Sequence, residues 1–505
     1  MTETASRSAD FVVVGAGSAG SIVASRLASA GASVVVLEAG GTDRRPDVAL
    51  AIGLASVYRR ANWLYPCAAD PSKDGCVDSV AAGRIVGGSG SINAMVYVRG
   101  RAEDYDRWAD NGCPGWSFEE VLPHFREIED WVDGPDEYRG RGGPISVTWC
   151  AHRHPIDDAF IDAAVTAGYR RNPDHNGATQ LGVSRAQVNQ RRGFRSSSAR
   201  GYLHRSGRSE SLSVRRRSQA VEITFAGSRA TGVRCADGNW YRAQQEVVLC
   251  AGAIGTPALL LRSGVGPSGS VARVPGVGQN LQDHRVVTEA WRSKVPTINS
   301  LGPGDLVRAV ADLVARGRGA FTGVPFEAEL FTDDYQIAIS PMHYTIDKIS
   351  GRTTLERTDG FSVSTVLLHP NGRGRVGVVG GRPLVEFERL ADPDDVTTLA
   401  RGVALSRALI RDSASMRGVA DGLIGDDKRA VDTAFLASEE ISIAHAAGTC
   451  RMGADDGAVV SPHLEVRDTK GLRVIDASVM PTLPSGNPNA ATMMLAHRAV
   501  DLISV

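Results

Sequence analysis

Three stretches of this chain carry glycines and side chains at spacings that could do chemistry. The first is Gly15-Ala16-Gly17-Ser18-Ala19-Gly20, which follows the apolar run 11–14 and precedes Ile22, Val23 and Leu27 at helical spacing. That order reads as strand, tight turn and helix. Gly15 permits the turn, Gly17 lets a pyrophosphate approach the backbone, and Gly20 lets helix and strand pack closely. Ser18 and Ala19 open the helix, whose free amides and positive end attract the anion. A second apolar run, 34–37, ends in Glu38 and Ala39. Glu38 stands at the distance downstream where a carboxylate can hold a ribose hydroxyl pair. Together these features predict a dinucleotide site. The second stretch is 83–100, GRIVGGSGSINAMVYVRG, in which Gly87, Gly88, Ser89, Gly90 and Ser91 offer many amides under minimal side chains. A flat cofactor can lie directly against such backbone. The third is C-terminal: His445 follows the apolar run 441–444, and Asn487-Pro488 precedes a closing helix. A lone histidine in such a place more often reads as structural.

The elements that position these stretches follow from composition and periodicity. At 505 residues the chain is too long for one core, so at least two domains are expected. Its formal net charge of −1 gives no reason to invoke nucleic acid or an anionic membrane. No segment reaches the ~18 consecutive apolar residues of a membrane span. The opening MTETASRSAD lacks the apolar core of a signal peptide, and the cytoplasm is the expected location. Cys67, Cys76, Cys113, Cys150, Cys235, Cys250 and Cys450 are scattered and show no C-x-x-C pair, so reduced structural thiols are expected.

Residues 104–131 show helical spacing with a Pro-Gly interruption, and 154–167 reads as an amphipathic helix. Strands at 212–214, 220–225 and 233–235 are expected to complete a β-meander, and 246–250 is a buried-strand run ending in Ala251 and Gly252. Thr256-Pro257 reads as the start of a helix stopped by Gly264, Val265 and Gly266. Alternation at 336–340 and 361–368 predicts antiparallel strands, and spacing at 396–410 a covering helix. Phe321, Phe326, Phe331, Met342 and Tyr344 are candidates for a pocket wall there. His284 has turn-like neighbours and no metal partners, and reads as structural rather than as ligand or base.

Residues 83–100 resemble the first signature of the glucose-methanol-choline (GMC) oxidoreductases, with Gly83, Arg84, Gly87, Gly88, Asn93, Tyr97 and Gly100 in register. Residues 252–266, GAIGTPALLLRSGVG, resemble the second signature along its full length, and 276–284, 445–453 and 474–503 have counterparts in the family. The resemblance spans both ends and the middle of the chain. It implies an α/β fold: a Rossmann-like FAD-binding domain made of 8–147, 195–284 and 440–505, and a discontinuous α+β substrate-binding domain, 148–194 and 285–439, built on an antiparallel sheet. It implies FAD rather than NAD. Some members bond the flavin through a histidine where this chain has Ile92, so noncovalent FAD is implied.

The cofactor contacts implied in the first two stretches are Gly15, Gly17, Ser18, Ala19, Gly20, Glu38, Ala39, Arg84, Gly87, Gly88, Ser91, Asn93, Ala94, Met95 and Val96. Val221 would lie against adenine, Ala251 and Gly252 beside the cofactor, Asp476 and Ala477 near the pyrophosphate, and Pro488 and Thr492 toward the flavin, with Thr492 opening the closing helix. The implied catalytic pair is His445 and Asn487. Asn489 is a rival for the second place, and counting back from Arg498 favours Asn487. The implied reaction oxidises an alcohol, expected to be primary, to its carbonyl by hydride transfer to the flavin. His445 takes the hydroxyl proton as general base, and Asn487 hydrogen-bonds the developing alkoxide. The partners are a small-molecule alcohol and oxygen or a quinone-type acceptor, between which the motifs do not choose. The alternative is a flavin-containing lyase of the same fold, hydroxynitrile lyase-like. A NAD-binding dehydrogenase would explain only 15–38, and a noncatalytic flavin sensor would have no use for the pair.

Overall fold

Two seven-stranded sheets, one mostly parallel and one antiparallel, frame the molecule. The computed structural model describes residues 8–504 apart from 76, 207–209, 347–352 and 427. The first sheet starts with β1 (Ser8–Val14), α1 (Ser18–Ser29) and β2 (Val34–Glu38), a unit whose Phe11, Val12 and Val13 are fully buried. It continues through β3 (Leu212–Arg216), β4 (Ala220–Ala226), β5 (Arg229–Cys235) and β6 (Trp240–Leu249) in the order β3-β2-β1-β6-β5-β4. β3, β2, β1 and β6 run parallel, while β4, β5 and the start of β6 form an antiparallel meander. The end of β6 also pairs in parallel with the strand Leu472–Val474.

The expected meander is therefore β4-β5-β6, and β3 leaves it for the far edge beside β2, with Leu212 opposite Val34. A three-residue strand signal does not encode its partner; the neighbouring strand's register does. The helix expected at Thr256-Pro257 begins four residues earlier, as α2 (Gly252–Arg262), and contains Pro257. Proline cannot donate to the carbonyl one turn back. The hydroxyl of Thr449 supplies that donor, 2.6 Å from the Ala253 carbonyl oxygen.

The second sheet contains β7 (Arg285–Ser293), β8 (Ala328–Phe331), β9 (Tyr335–Ser340), β10 (Gly360–Leu367) and β11 (Ala420–Leu423) in the order β11-β7-β10-β9-β8, with the strand Gly182–Arg185 beyond β8. α3 (Pro393–Asp412) covers one face, packing Leu409 and Ile410 with Ile337, Ile339 and Val363. Period-two alternation then puts Gln336, Ala338 and Ser340 on the opposite face of this sheet. The strand Ile441–Ser442 pairs with the start of β7, Arg285 opposite Ser442. This pairing brings the residues just before β7 against those just after Ser442. α4 (Asn489–Asp501) packs against α1 and closes the described chain. Cys67, Cys113, Cys150, Cys250 and Cys450 are buried and free, Cys235 is buried, and Cys76 lies outside the described residues. Among the described residues no helix is long and apolar enough to cross a membrane.

Candidate active site

A cavity of about 760 Å³, the size of a ligand or cofactor site, has walls from both sheets. At one end it meets main chain: Gly15, Gly17, Ser18 and Ala19 from the turn after β1, Gly88, and Ala251 and Gly252 where β6 meets α2. Close packing dictates two of these glycines. A Cβ on Gly15 would stand 2.4 Å from the Cys250 carbonyl oxygen, and one on Gly88 would stand 2.8 Å from Gly17 Cα. α1 has no acidic residue in its first turn, so no carboxylate competes for its free amides and positive dipole end.

Glu38 lines the same end. Its carboxylate accepts from the Ala16 amide at 3.0 Å and the Gly40 amide at 2.6 Å, which fixes it beside the turn. Burial pushes this carboxyl up to about 7, against the pull of those two amides and of Arg84. Ala39, Arg84, Asn93, Ala94, Met95, Val96, Asp476, Ala477, Pro488 and Thr492 also line the cavity. Asp476 Oδ2 accepts from the Gly252 amide at 2.8 Å and the Thr256 hydroxyl at 2.6 Å, joining the end of one strand to the start of α2. Thr492 stands three residues inside α4 rather than opening it, and its hydroxyl donates to the Pro488 carbonyl at 2.7 Å.

Four expected contacts fall off the cavity. Gly20 is a packing glycine, since a Cβ there would meet the Gly15 carbonyl oxygen at 1.9 Å. Gly87, with φ of 88°, turns the chain one residue ahead of the cavity wall. Ser91 is buried and donates inward to the Val86 carbonyl at 2.9 Å. Val221 sits where the β4–β5 register breaks, and Gln219 and Ala220 line the cavity instead. A residue that sequence reading passed over supports this end from behind. The buried Arg195 donates to the Gly90 carbonyl at 3.2 Å and to the Asn93 carboxamide and carbonyl oxygens at 2.5 and 2.9 Å. It sits in a run of arginines and serines, which hides it.

At the other end the cavity is lined by His445 and Asn487, with Met95, Val96, Phe326 and Gln336 around them. Of the five expected wall residues only Phe326 lines it; Phe331 packs against His175 with ring centres 5.5 Å apart, and Phe321, Met342 and Tyr344 stand elsewhere. The His445 amide donates to Asp283 Oδ1 at 2.9 Å, and the Ser442 hydroxyl donates to the other oxygen of the same carboxylate. Ala444 and Met95 hold φ of 60° and 64° on the cavity wall. Such non-glycine residues cost about 1–3 kcal/mol each and persist where the surroundings over-determine them.

His284, which reads as structural in the sequence, is fully buried and touches His445 directly. Its Nδ1 lies 2.9 Å from His445 Nδ1, and its Nε2 lies 3.1 Å from the Leu368 carbonyl oxygen. A carbonyl only accepts, so His284 Nε2 carries the proton and His284 Nδ1 is an acceptor. His445 Nδ1 is then the donor, and His445 Nε2 keeps a free lone pair. Both rings are neutral, because burial pushes His284 far below its ordinary value and His445 down to about 3.

The two loops at this end are tied by the segment before β7. Main-chain groups of Gln282 and Ala447 exchange two hydrogen bonds of 3.0 Å, and Gln282 Nε2 donates to the Pro481 carbonyl at 2.9 Å. Asn489 also lines the cavity, but at the glycine turn: its carboxamide oxygen accepts from the Ser18 hydroxyl at 2.7 Å. Asn487 lies on the cavity wall two residues before it.

A profile of GMC oxidoreductases matches residues 9–286 with its N-terminal part and 370–496 with its C-terminal part. The chain belongs to the GMC oxidoreductase family. It is 35% identical to the oxygen-dependent choline dehydrogenase of Vibrio vulnificus (strain YJ016), over 98% of this chain and 94% of that one. Identity to an alcohol dehydrogenase (acceptor) of Pseudomonas putida is 34%, over 98% and 95% of the two chains. Among solved structures, pyridoxine 4-oxidase from Mesorbium loti superposes with a TM-score of 0.86 at 27% identity, covering 97% of this chain and 98% of that one. An Aspergillus oryzae formate oxidase variant superposes with a TM-score of 0.89 over 99% and 98% of the chains, and at 21% identity that likeness bears on the fold alone.

This GMC oxidoreductase is an FAD-dependent enzyme acting on CH–OH donors. Its own residues fit that cofactor. A glycine-lined, acid-free helix start suits a pyrophosphate, and the fixed carboxylate of Glu38 suits a ribose. At the place where some members attach flavin covalently, Ile92 is buried and has no group to form a bond.

Proposed function

We propose that this enzyme oxidises a small primary alcohol to the aldehyde, with His445 as general base and Asn487 as the hydrogen-bond donor to the alkoxide. The observation that carries this reading is the His284–His445 pair, whose proton arrangement leaves His445 Nε2 unprotonated on the cavity wall. The mostly parallel sheet and its turns would hold the FAD, and segments 148–194 and 285–439 would bind the substrate. That division is supported by the pairing of the strand Gly182–Arg185 with β8. Bound FAD supplies the hydride acceptor.

Everything else falls to side chains of this protein. The alcohol hydroxyl gives its proton to His445 Nε2, which makes loss of hydride from the carbinol carbon easier; such general bases contribute roughly 10²–10⁴-fold. As the imidazole becomes charged, its Nδ1–H stays directed at the His284 Nδ1 lone pair, so the ring cannot turn away. The Asn487 carboxamide cannot titrate and donates to the oxygen as charge develops there. Met95, Val96 and Phe326 exclude water around the carbinol, and Gln336 offers a polar group for the rest of the substrate. Oxygen is the proposed acceptor, in keeping with the name of the Vibrio relative. A cytoplasmic location completes the reading, supported by the free buried thiols of Cys67, Cys113, Cys150, Cys250 and Cys450.

The test is an anaerobic absorbance spectrum of the purified holoenzyme before and after a panel of primary and secondary alcohols. Bleaching of the flavin bands by primary alcohols, reversed by air, is the expected result. Flavin that no alcohol bleaches, in a protein that cleaves cyanohydrins, would replace the oxidase by the lyase.

A further inference from the structure

We propose that the protein binds one divalent transition-metal ion of the zinc class between the helix Phe118–Ile128 and α4, outside the cavity. His124 and Glu127 are three residues apart on the first helix, and His497 and Asp501 are four apart on α4, so each pair shares one helix face. A ligand nitrogen or oxygen from each of His124, Glu127 and His497 lies within 4.8 Å of the other two. The spacing of the two rings suits a shared ion. Their Nδ1 atoms are 3.1 Å apart, and two nitrogens bound tetrahedrally to zinc at ~2.0–2.1 Å stand about 3.3 Å from each other.

The carboxylates complete the set. Glu127 Oε2 is 3.7 Å from His497 Nε2, and Asp501 Oδ2 is 3.8 Å from His124 Nδ1. The side chains of Glu127 and Asp501 are 61% and 49% exposed, so both can swing inward without repacking, whereas the imidazoles are 12% and 8% exposed and already in place. Burial pushes both rings below the ordinary histidine value and keeps them neutral, with lone pairs to give. Arg26 of α1 binds Asp501 Oδ1 at 2.8 Å and the His497 carbonyl oxygen. It offsets the Asp501 charge, so Glu127 is the charged ligand and Asp501 Oδ2 or a water takes the fourth place. Two imidazoles and a carboxylate select zinc, nickel or copper over magnesium or calcium. Without the ion, one ring donates its Nδ1–H to the other. Binding requires only that this proton move to the outer Nε2 of the same ring. The ion would clip α4, whose start lies beside Asn487, to a helix otherwise joined to it by side-chain packing and the His124–His497 hydrogen bond.

The test uses chelator-treated holoenzyme titrated with Zn²⁺ by calorimetry and with Cu²⁺ by electron paramagnetic resonance. One equivalent of Zn²⁺ should bind and raise the melting temperature, and bound Cu²⁺ should show splitting from two nitrogens. His497 is packed in α4, so the variants are placed on the other helix. His124→Ala should weaken Zn²⁺ binding by at least about tenfold, a loss of about 1.4 kcal/mol, and reduce the Cu²⁺ splitting to one nitrogen. Glu127→Gln should weaken Zn²⁺ binding and leave both nitrogens. Flavin bleaching by alcohol should be unchanged in both variants without metal. No bound equivalent, or binding that neither variant alters, would overturn the site.

Discussion

The two ends of the cavity are built by opposite means. The cofactor end is made of main chain, at Gly15, Gly17, Gly88 and Gly252, and at Gly15 and Gly88 the neighbouring backbone leaves no room for a side chain. The reacting end is made of side chains, His445, Asn487, Phe326 and Gln336, delivered by segments far apart in sequence. Backbone contact demands glycine at fixed spacing and so leaves a local spelling. Convergence of side chains demands a fold and leaves none.

That contrast breaks hardest at the reacting end. His445→Ala should retain FAD while anaerobic flavin reduction by alcohol slows about 10²–10⁴-fold in stopped flow. Unchanged rates would remove His445 from the chemistry. Asn487→Ala should slow the same step by about 10²-fold, the usual loss for one donor to a developing oxyanion. Asn489→Ala should instead weaken FAD retention, because its partner is Ser18 in the glycine turn. If the two asparagine variants exchanged phenotypes, the assignment would reverse.

The cofactor end should fail differently. Gly15→Ala places a Cβ against the Cys250 carbonyl oxygen at a residue with φ of 99°, a strain of about 1–3 kcal/mol or more. The expected outcome is a lower melting temperature and partial loss of flavin absorbance, with a normal reduction rate in the fraction that keeps FAD. His284 sharpens the comparison because it acts through another residue. His284→Leu removes the acceptor for His445 Nδ1 and should slow reduction by roughly tenfold, less than the roughly 10²–10⁴-fold expected for loss of the general base itself. His284→Gln, which offers a carboxamide oxygen to the same hydrogen, should recover most of that loss.

The smallest effect concerns pH. Burial holds His445 down to about 3, so the base form persists as pH falls. Reduction rates should lose nothing to His445 protonation between about pH 8 and about pH 5, where an ordinary imidazole would titrate. The linked stability has a definite sign. The unfolded chain takes up this proton below about pH 6.5, whereas the native chain does so only near 3. The stability tied to neutral His445 is therefore present above the unfolded value and is lost as pH falls toward the native one. Acid melting of His445→Gln should accordingly be shallower in that window.

Much of the fold and of the cofactor end was legible in residue order. Strand β1, the glycine turn, α1 and Glu38 lie within about one supersecondary unit, and their periodicity and turn chemistry are local properties. The alternation in β9 and β10 likewise announced an antiparallel sheet, and the spacing of α3 a helix upon it. The family signatures reached further and pointed to His445 and Asn487.

Tertiary structure alone decided the partner of β3, the early start of α2 on a carbonyl satisfied by Thr449, and the retreat of Val221 behind a register break. It also decided the roles open to Arg195, Gln336 and His284. His284 and His445 are 161 positions apart, and the pairing of β7 with Ile441–Ser442, together with the Gln282–Ala447 and Asp283–His445 hydrogen bonds, brings them together. The physical reason is common to all of these. Backbone conformation and apolar period act over a few residues, whereas a hydrogen-bond partner across a sheet is selected by register, and register is set by every strand that packs beside it.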